Sequence, residues 1–258
     1  MKTKKKIRVD TLALGLHCTA SAAEKYKKDN GKPDAMDTTK KDYAKNLTRA
    51  INYFYGTNCD VVRLDQFLHD PTNRDWAVVS NGRLRAGLGQ IPEMMDAITP
   101  IINTITGEDG KLQMETYTRA INNVDIIARE YTYNNTIVKI QAIPYDINNL
   151  SSDAMRDIIT RCALSGYIAG KEKSTHIIIV DDQQIPGIMH CTLTPEASYD
   201  IVRKLELPRI VAEITLEKPA KMCYRCDYCR DYVINHRIIP PEIDINNIIG
   251  TGGDYHVH

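Results

Sequence analysis

Between residues 124 and 215 the hydrophobic pattern switches repeatedly between a period of two and a period near 3.6, and this alternation constrains the fold more than any other feature. "VDIIAREYTYNNTIVKIQAIPYDI" reads as two strands around Asn134-Asn135, a pair that tolerates the left-handed backbone a tight hairpin requires. "NNLSSDAMRDIITRCALSG" then reads as a helix capped by Ser151 or Ser152, apolar at Met155, Ile158, Ile159 and Cys162, and ending at Gly166. "THIIIVDDQQIPGIMHCTLT" repeats the strand pair, with Asp181 and Asp182 opening its turn. "PEASYDIVRKLEL" repeats the helix, with proline at its start, and "PRIVAEITLEK" is predicted to be a further strand. Strand, strand, helix, twice over, fits a single sheet covered by two helices better than a duplicated module.

The front of the chain has a different grammar. "ASAAEKYKKDN" and "KDYAKNLTRAINYFYG" read as helices, the second capped by Thr38 or Thr39 and stopped at Gly56. "CDVVRLDQFL" and "DWAVVSNGRL" are short strand or helix candidates, and "IPEMMDAITPIINTIT" has helical spacing interrupted at Pro100. The predicted fold class is therefore α+β (mixed): a helical N-terminal part, then a mainly antiparallel sheet with two covering helices, then an irregular cysteine-rich segment. Three regions follow: 1–120, mainly helical with a basic N-terminal arm; 121–220, the strand-strand-helix region; and 221–258, the cysteine cluster and tail.

A chain of 258 residues with 43% hydrophobic residues can bury a real core. Its longest apolar runs, such as "HIIIV", fall far short of the roughly 18 to 20 residues that a membrane helix needs, so no membrane partner is expected. The opening "MKTKKKIRVD" carries the charge of a signal-peptide start. The apolar stretch behind it is short and broken by His17, and it is read as part of the fold. Seven cysteines, an odd number with three clustered, argue against a secreted disulfide framework and for a reducing intracellular setting or the inside of a virus particle. The net charge of zero hides an asymmetry: residues 1–50 hold 13 Lys or Arg against 6 Asp or Glu, a net of +7 that leaves −7 on the rest. Such a head suits nucleic acid or the acidic surface of another subunit, or is simply a solvated arm.

The one short stretch that looks like chemistry is "KMCYRCDYCRDY", with Cys223, Cys226 and Cys229 at a constant spacing of three. Thiolates separated by two intervening residues can reach one soft cation from a tight turn. On a straight helix, positions three apart drift around the axis, so convergence requires a loop or a bent turn. Zinc would complete a tetrahedron with His236 or with the remote His190 and Cys191. An iron–sulfur cluster would take all three thiolates and a remote fourth such as Cys18. The alternative to both is three reduced thiols on a partly buried helix.

An early cysteine and a late cluster, placed after alternating strands and helices, resemble in outline the iron–sulfur RecB-like nucleases. That resemblance implies an acidic residue followed by an acid-x-lysine on adjacent strands, holding Mg²⁺ and activating water. The sequence departs from the pattern. Its nearest local candidates, Asp109-Gly110-Lys111 and Asp146, come in the wrong order and in turn-like contexts. The acids inside strand patterns, Glu130 and Glu213, have no lysine two residues later and read as solvent-facing members of alternating strands. No dinucleotide fingerprint, P-loop, nucleophile elbow or His-Glu-x-x-His is present. Two functions are compatible with these features. One is a non-enzymatic structural or assembly component, of viral or phage type, that contacts other subunits through its termini. The other is a zinc- or iron–sulfur-dependent nucleic-acid-binding protein or nuclease.

Overall fold

The structure, a computed structural model, describes residues 5–28, 43–56, 83–107, 111–143, 145–170 and 172–236. The Thr38 or Thr39 cap, "CDVVRLDQFL", most of "DWAVVSNGRL", Asp109 and the tail beyond 236 lie outside them.

The described elements run β1 (Lys6–Arg8), α1 (Val9–His17), α2 (Thr19–Lys28), α3 (Tyr43–Gly56), α4 (Arg83–Thr106), β2 (Gln113–Ile121), β3 (Val124–Tyr133) and β4 (Thr136–Ile143). They continue with α5 (Ser152–Ala169), β5 (Ser174–Asp181), β6 (Ile188–Leu193), α6 (Pro195–Val202), α7 (Leu207–Ile214) and α8 (Asp227–His236). The class is α+β, as the alternating periodicity implies. The six strands form one sheet in the order β1-β3-β4-β5-β6, with β2 on the other side of β3. The β2–β3, β3–β4 and β5–β6 pairs are antiparallel, while β1–β3 and β4–β5 are parallel.

Both predicted hairpin turns form. Asn134 adopts φ 50° between β3 and β4, and Asp181 closes the β5–β6 turn by accepting hydrogen bonds from the amides of Gly187 (2.8 Å) and Gln183 (3.3 Å). The β2 strand, unassigned by the sequence pattern, pairs with β3 over its full length through a turn with Asn122 at φ 50° and Asn123 at φ 60°. Its positions alternate between exposed and half-buried with none fully buried, and the inward ones include Glu115 and Arg119, so the strand shows no apolar stripe in the sequence. Residue 120, the expected border between the first two regions, falls inside this hairpin.

Alternation along β4 and β5 sends apolar side chains to both faces of the sheet. Val138, Ile140, Ala142, Ile178 and Val180 meet α3 and α4 through Ile51, Phe54, Met94 and Ile98. On the other face Ile7, Val124, Ile126 and Ala128 meet α1, α5 and α7 through Leu12, Leu164, Val211 and Ile214. Each fully buried isoleucine or leucine contributes about 1.5–3 kcal/mol. α5 is capped at Ser151, whose hydroxyl accepts from the Ala154 amide at 3.2 Å; it runs past Gly166 and ends at Gly170. α4 continues through Pro100, which was expected to interrupt it.

Two readings are corrected. "RIVAEI" is a helix and not a strand, because Leu207, Ile210, Val211 and Ile214 share one helical stripe against α1. The packing is close there: a Cβ on Gly15 of α1 would sit 2.7 Å from Ile214 Cδ1. The basic head is also more than a solvated arm. Ile7 is 1% exposed in β1, which lies parallel to β3, and Lys5 pairs with Glu217 at 3.0 Å.

Candidate metal centre

Cys18 stands at the junction of α1 and α2, where its amide caps α1 by donating to Leu14 O at 3.0 Å. The chain returns to this junction more than 200 residues later. The Ala20 amide donates to Lys221 O (3.1 Å), and the Lys221 amide donates to Thr19 Oγ1 (2.8 Å). Tyr224 then takes a left-handed φ of 59°, which folds "CYRC" into a turn, and Cys226 directly precedes α8, where the Arg230 amide donates to its carbonyl. Cys229 follows in the first turn of that helix. The bend that three equally spaced thiols need is thus supplied by one residue of positive φ and one helix start.

These movements bring four sulfurs together. The Sγ atoms of Cys18, Cys223, Cys226 and Cys229 all lie within 4.8 Å of one another, with Cys18–Cys229 at 3.4 Å and Cys223–Cys229 at 4.0 Å. A tetrahedral ion held at about 2.3 Å by four thiolates keeps the sulfurs about 3.8 Å apart, so the separations bracket a single-ion site. An iron–sulfur cube binds each thiolate through a different iron and spreads the sulfurs wider. Cys18 and Cys229 are buried; Cys223 and Cys226 are half-buried and form the solvent side. Amides support the sulfurs: Ser21 N–H donates to Cys18, and Arg225 and Cys226 N–H donate to Cys223, at 3.3–3.4 Å.

Burial pushes the Cys223 thiol up, but these two amides outweigh it and lower the group to about 7. Burial pushes Cys226 up to about 12, with the neighbouring thiols adding to the rise, and it pushes Cys18 up as well. Four thiols this close cannot all ionise beside one another without a cation between them. The donor set therefore fits a soft divalent ion.

The three cysteines singled out by spacing do converge, and the fourth position belongs to Cys18. His236 closes α8, and its side chain lies outside the described residues. His190 and Cys191 lie on β6, where His190 Nε2 is 2.9 Å from His176 Nδ1; burial and His190 together hold His176 below its ordinary range. Among the described residues the four thiols are the only group of three or more His, Cys, Asp or Glu placed to share an ion.

The acids of the sheet are arranged otherwise than expected. Glu130 and Glu213 are 3% and 2% exposed, not solvent-facing. β3 and β4 pair only from Tyr131↔Val138 to Tyr133↔Thr136. Just past that pairing Glu130 meets Lys139, with Oε2 and Nζ 2.5 Å apart, while Oε1 has no partner. Glu115 stands opposite Glu130 on β2. Asp146 caps a single 3₁₀ turn by accepting from the Asn148 amide, and Asp181 accepts a third amide hydrogen bond, from Ile147, at 2.9 Å. Both carboxylates are engaged in holding turns.

No family model matches the chain, and no curated protein does. Among solved structures, a protein from Eubacterium rectale provisionally described as an exonuclease superposes with a TM-score of 0.66 over 95% of this chain and 92% of that chain, at 17% identity. At that identity the likeness shows the fold alone. SSO0001 overlaps 93% of this chain and 88% of its own at 12% identity, with a TM-score of 0.40 that carries no argument. Neither comparison points to a virion or phage component. Among the described residues no helix is long and apolar enough to cross a membrane.

Proposed function

We propose that the protein is a metal-dependent nucleic-acid-binding protein on a nuclease-like fold, in which Cys18, Cys223, Cys226 and Cys229 hold one zinc ion as a structural clamp. The observation that carries this reading is the convergence of four sulfurs within 4.8 Å from opposite ends of the sequence. Zinc would be held through all four thiolates, leaving no open position, which is the pattern of a structural and not a catalytic zinc site. The fold shared with the Eubacterium rectale protein and the +7 charge of residues 1–50 support a nucleic-acid partner.

Hydrolysis is the second reading, favoured by that fold. Against it stands the sheet: where the nuclease pattern places an acid and then a lysine on the strand beside the first acid, this chain has Lys139 and Gln141 beside Glu130. An ammonium group then lies where a cation would be bound.

The purified, reduced chain should contain one zinc and show no visible absorption band; a broad band with iron would move the site to a cluster. Fluorescence anisotropy with labelled single- and double-stranded DNA and RNA should give binding that weakens steeply with salt, through counterion release. Absence of both metal and binding would sink the proposal. Cleavage in Mg²⁺ or Mn²⁺ that is lost in Glu130→Gln would replace it with the hydrolytic reading.

A further inference from the structure

Glu213 is a buried carboxylate on α7, where Arg209 is the one other charged residue, and it is flanked by the buried Ile210, Val211, Ala212 and Ile214. An ionised group in such surroundings is costly unless it is fully hydrogen-bonded. Both of its oxygens are used: Thr19 Oγ1 donates to Oε2 at 2.6 Å, and Arg209 Nη1 donates to Oε1 at 2.7 Å. Arg209 is itself held by Glu206. Burial pushes Glu213 up, but the Thr19 and Arg209 hydrogen bonds outweigh it and keep the carboxyl below its usual range.

The direction of these bonds matters. A carboxylate only accepts, so the Thr19 proton points to Glu213 and the Thr19 lone pairs are left for the Lys221 amide, which donates to them at 2.8 Å. The relay therefore joins α7 to the residue after Cys18 and to the residue two before Cys223. It fixes the spacing between the early and late halves of the ligand set.

We infer that Glu213 is a positioning residue for the four-thiol site, acting through Thr19 to hold Cys18 and the 221–229 segment in one geometry. The inference rests on the metal reading above. Glutamine cannot replace Glu213 in this role, because it offers one acceptor where two are required. Turned one way its amide nitrogen faces the Arg209 guanidinium, and turned the other way it competes for the Thr19 lone pairs.

The test uses the full-length chain, reduced and loaded with Co²⁺, whose thiolate-to-cobalt absorption reports the site directly. Release into excess EDTA should be about 10- to 100-fold faster in Glu213→Gln than in wild type, the range typical of lost outer-shell support. Thr19→Val should behave like Glu213→Gln, and Thr19→Ser, which keeps the hydroxyl, should behave like wild type. Should Glu213→Gln not fold, the Thr19 pair still decides. A purely structural role would lower thermal stability equally with and without cobalt and leave release unchanged; that result overturns the inference while the metal reading stands. A wild-type chain that takes up no cobalt through its thiols overturns both.

Discussion

Glu130 and Lys139 illustrate how far a single residue's role depends on what lies opposite. A glutamate in an alternating strand reads as solvent-facing, yet β3 has helices against the face where Glu130 sits, and the residue is buried. Burial pulls the Lys139 ammonium down, but the Glu130 carboxylate outweighs it and holds the lysine above its ordinary value. Lys139→Leu leaves that carboxylate buried and unpaired, and should cost about 3–5 kcal/mol in urea unfolding at neutral pH. Glu130→Leu combined with Lys139→Leu should recover most of the loss, since apolar replacement of a buried pair is often close to neutral. The pair also has a pH signature. A raised lysine contributes stability that is fully present below its unfolded value near 10.4 and is lost as pH rises through the higher folded value. Wild type should therefore lose stability relative to the double variant above about pH 10.4, and a constant difference up to pH 12 would contradict the assignment.

At the scale of elements, close approach decides where the helices lie. α5 crosses β5 and α6 at Gly166, where an added Cβ would meet Ser198 Oγ at 2.9 Å and Thr175 Oγ1 at 3.0 Å. Both residues are fully buried, so although neither hydroxyl has a hydrogen bond to lose, making room for a methyl group must displace packed neighbours. Gly166→Ala should therefore destabilise the protein by about 1–3 kcal/mol, measured by thermal or urea unfolding, despite the better helix propensity of alanine. An unchanged midpoint would mean that α5 shifts freely against the sheet. α7 makes the complementary point. Its β-branched residues suit a strand by propensity, and the packing surface offered by α1 and α2 selects the helix.

At the scale of the whole molecule the four thiols bring an early and a late part of the described chain to one place. Among the described residues the late segment is tied to α2 by a few hydrogen bonds, so the metal of the proposed site would supply much of its anchoring. Chelation, or Cys229→Ser, should raise hydrogen exchange across residues 221–236 and the first turn of α2 while β3, β4 and β5 keep their protection. Protection unchanged on metal removal would show that α8 docks without the ion. The basic head belongs to this scale too, since Ile7 fills a position in the sheet and not on a free arm.

By itself the sequence determined the hairpins, the cap at Ser151, the proline start of α6 and the strand-strand-helix order, because each is encoded within a few neighbouring residues, and its even spacing singled out the three late cysteines. Local spacing cannot say which distant residue completes a set. Cys18 as the fourth thiol, Thr19 and Glu213 behind it, Lys139 facing Glu130, and the helix at 207–214 were decided only by tertiary packing. The physical reason is the same in each case: burial and partner identity are set by segments that meet across the fold.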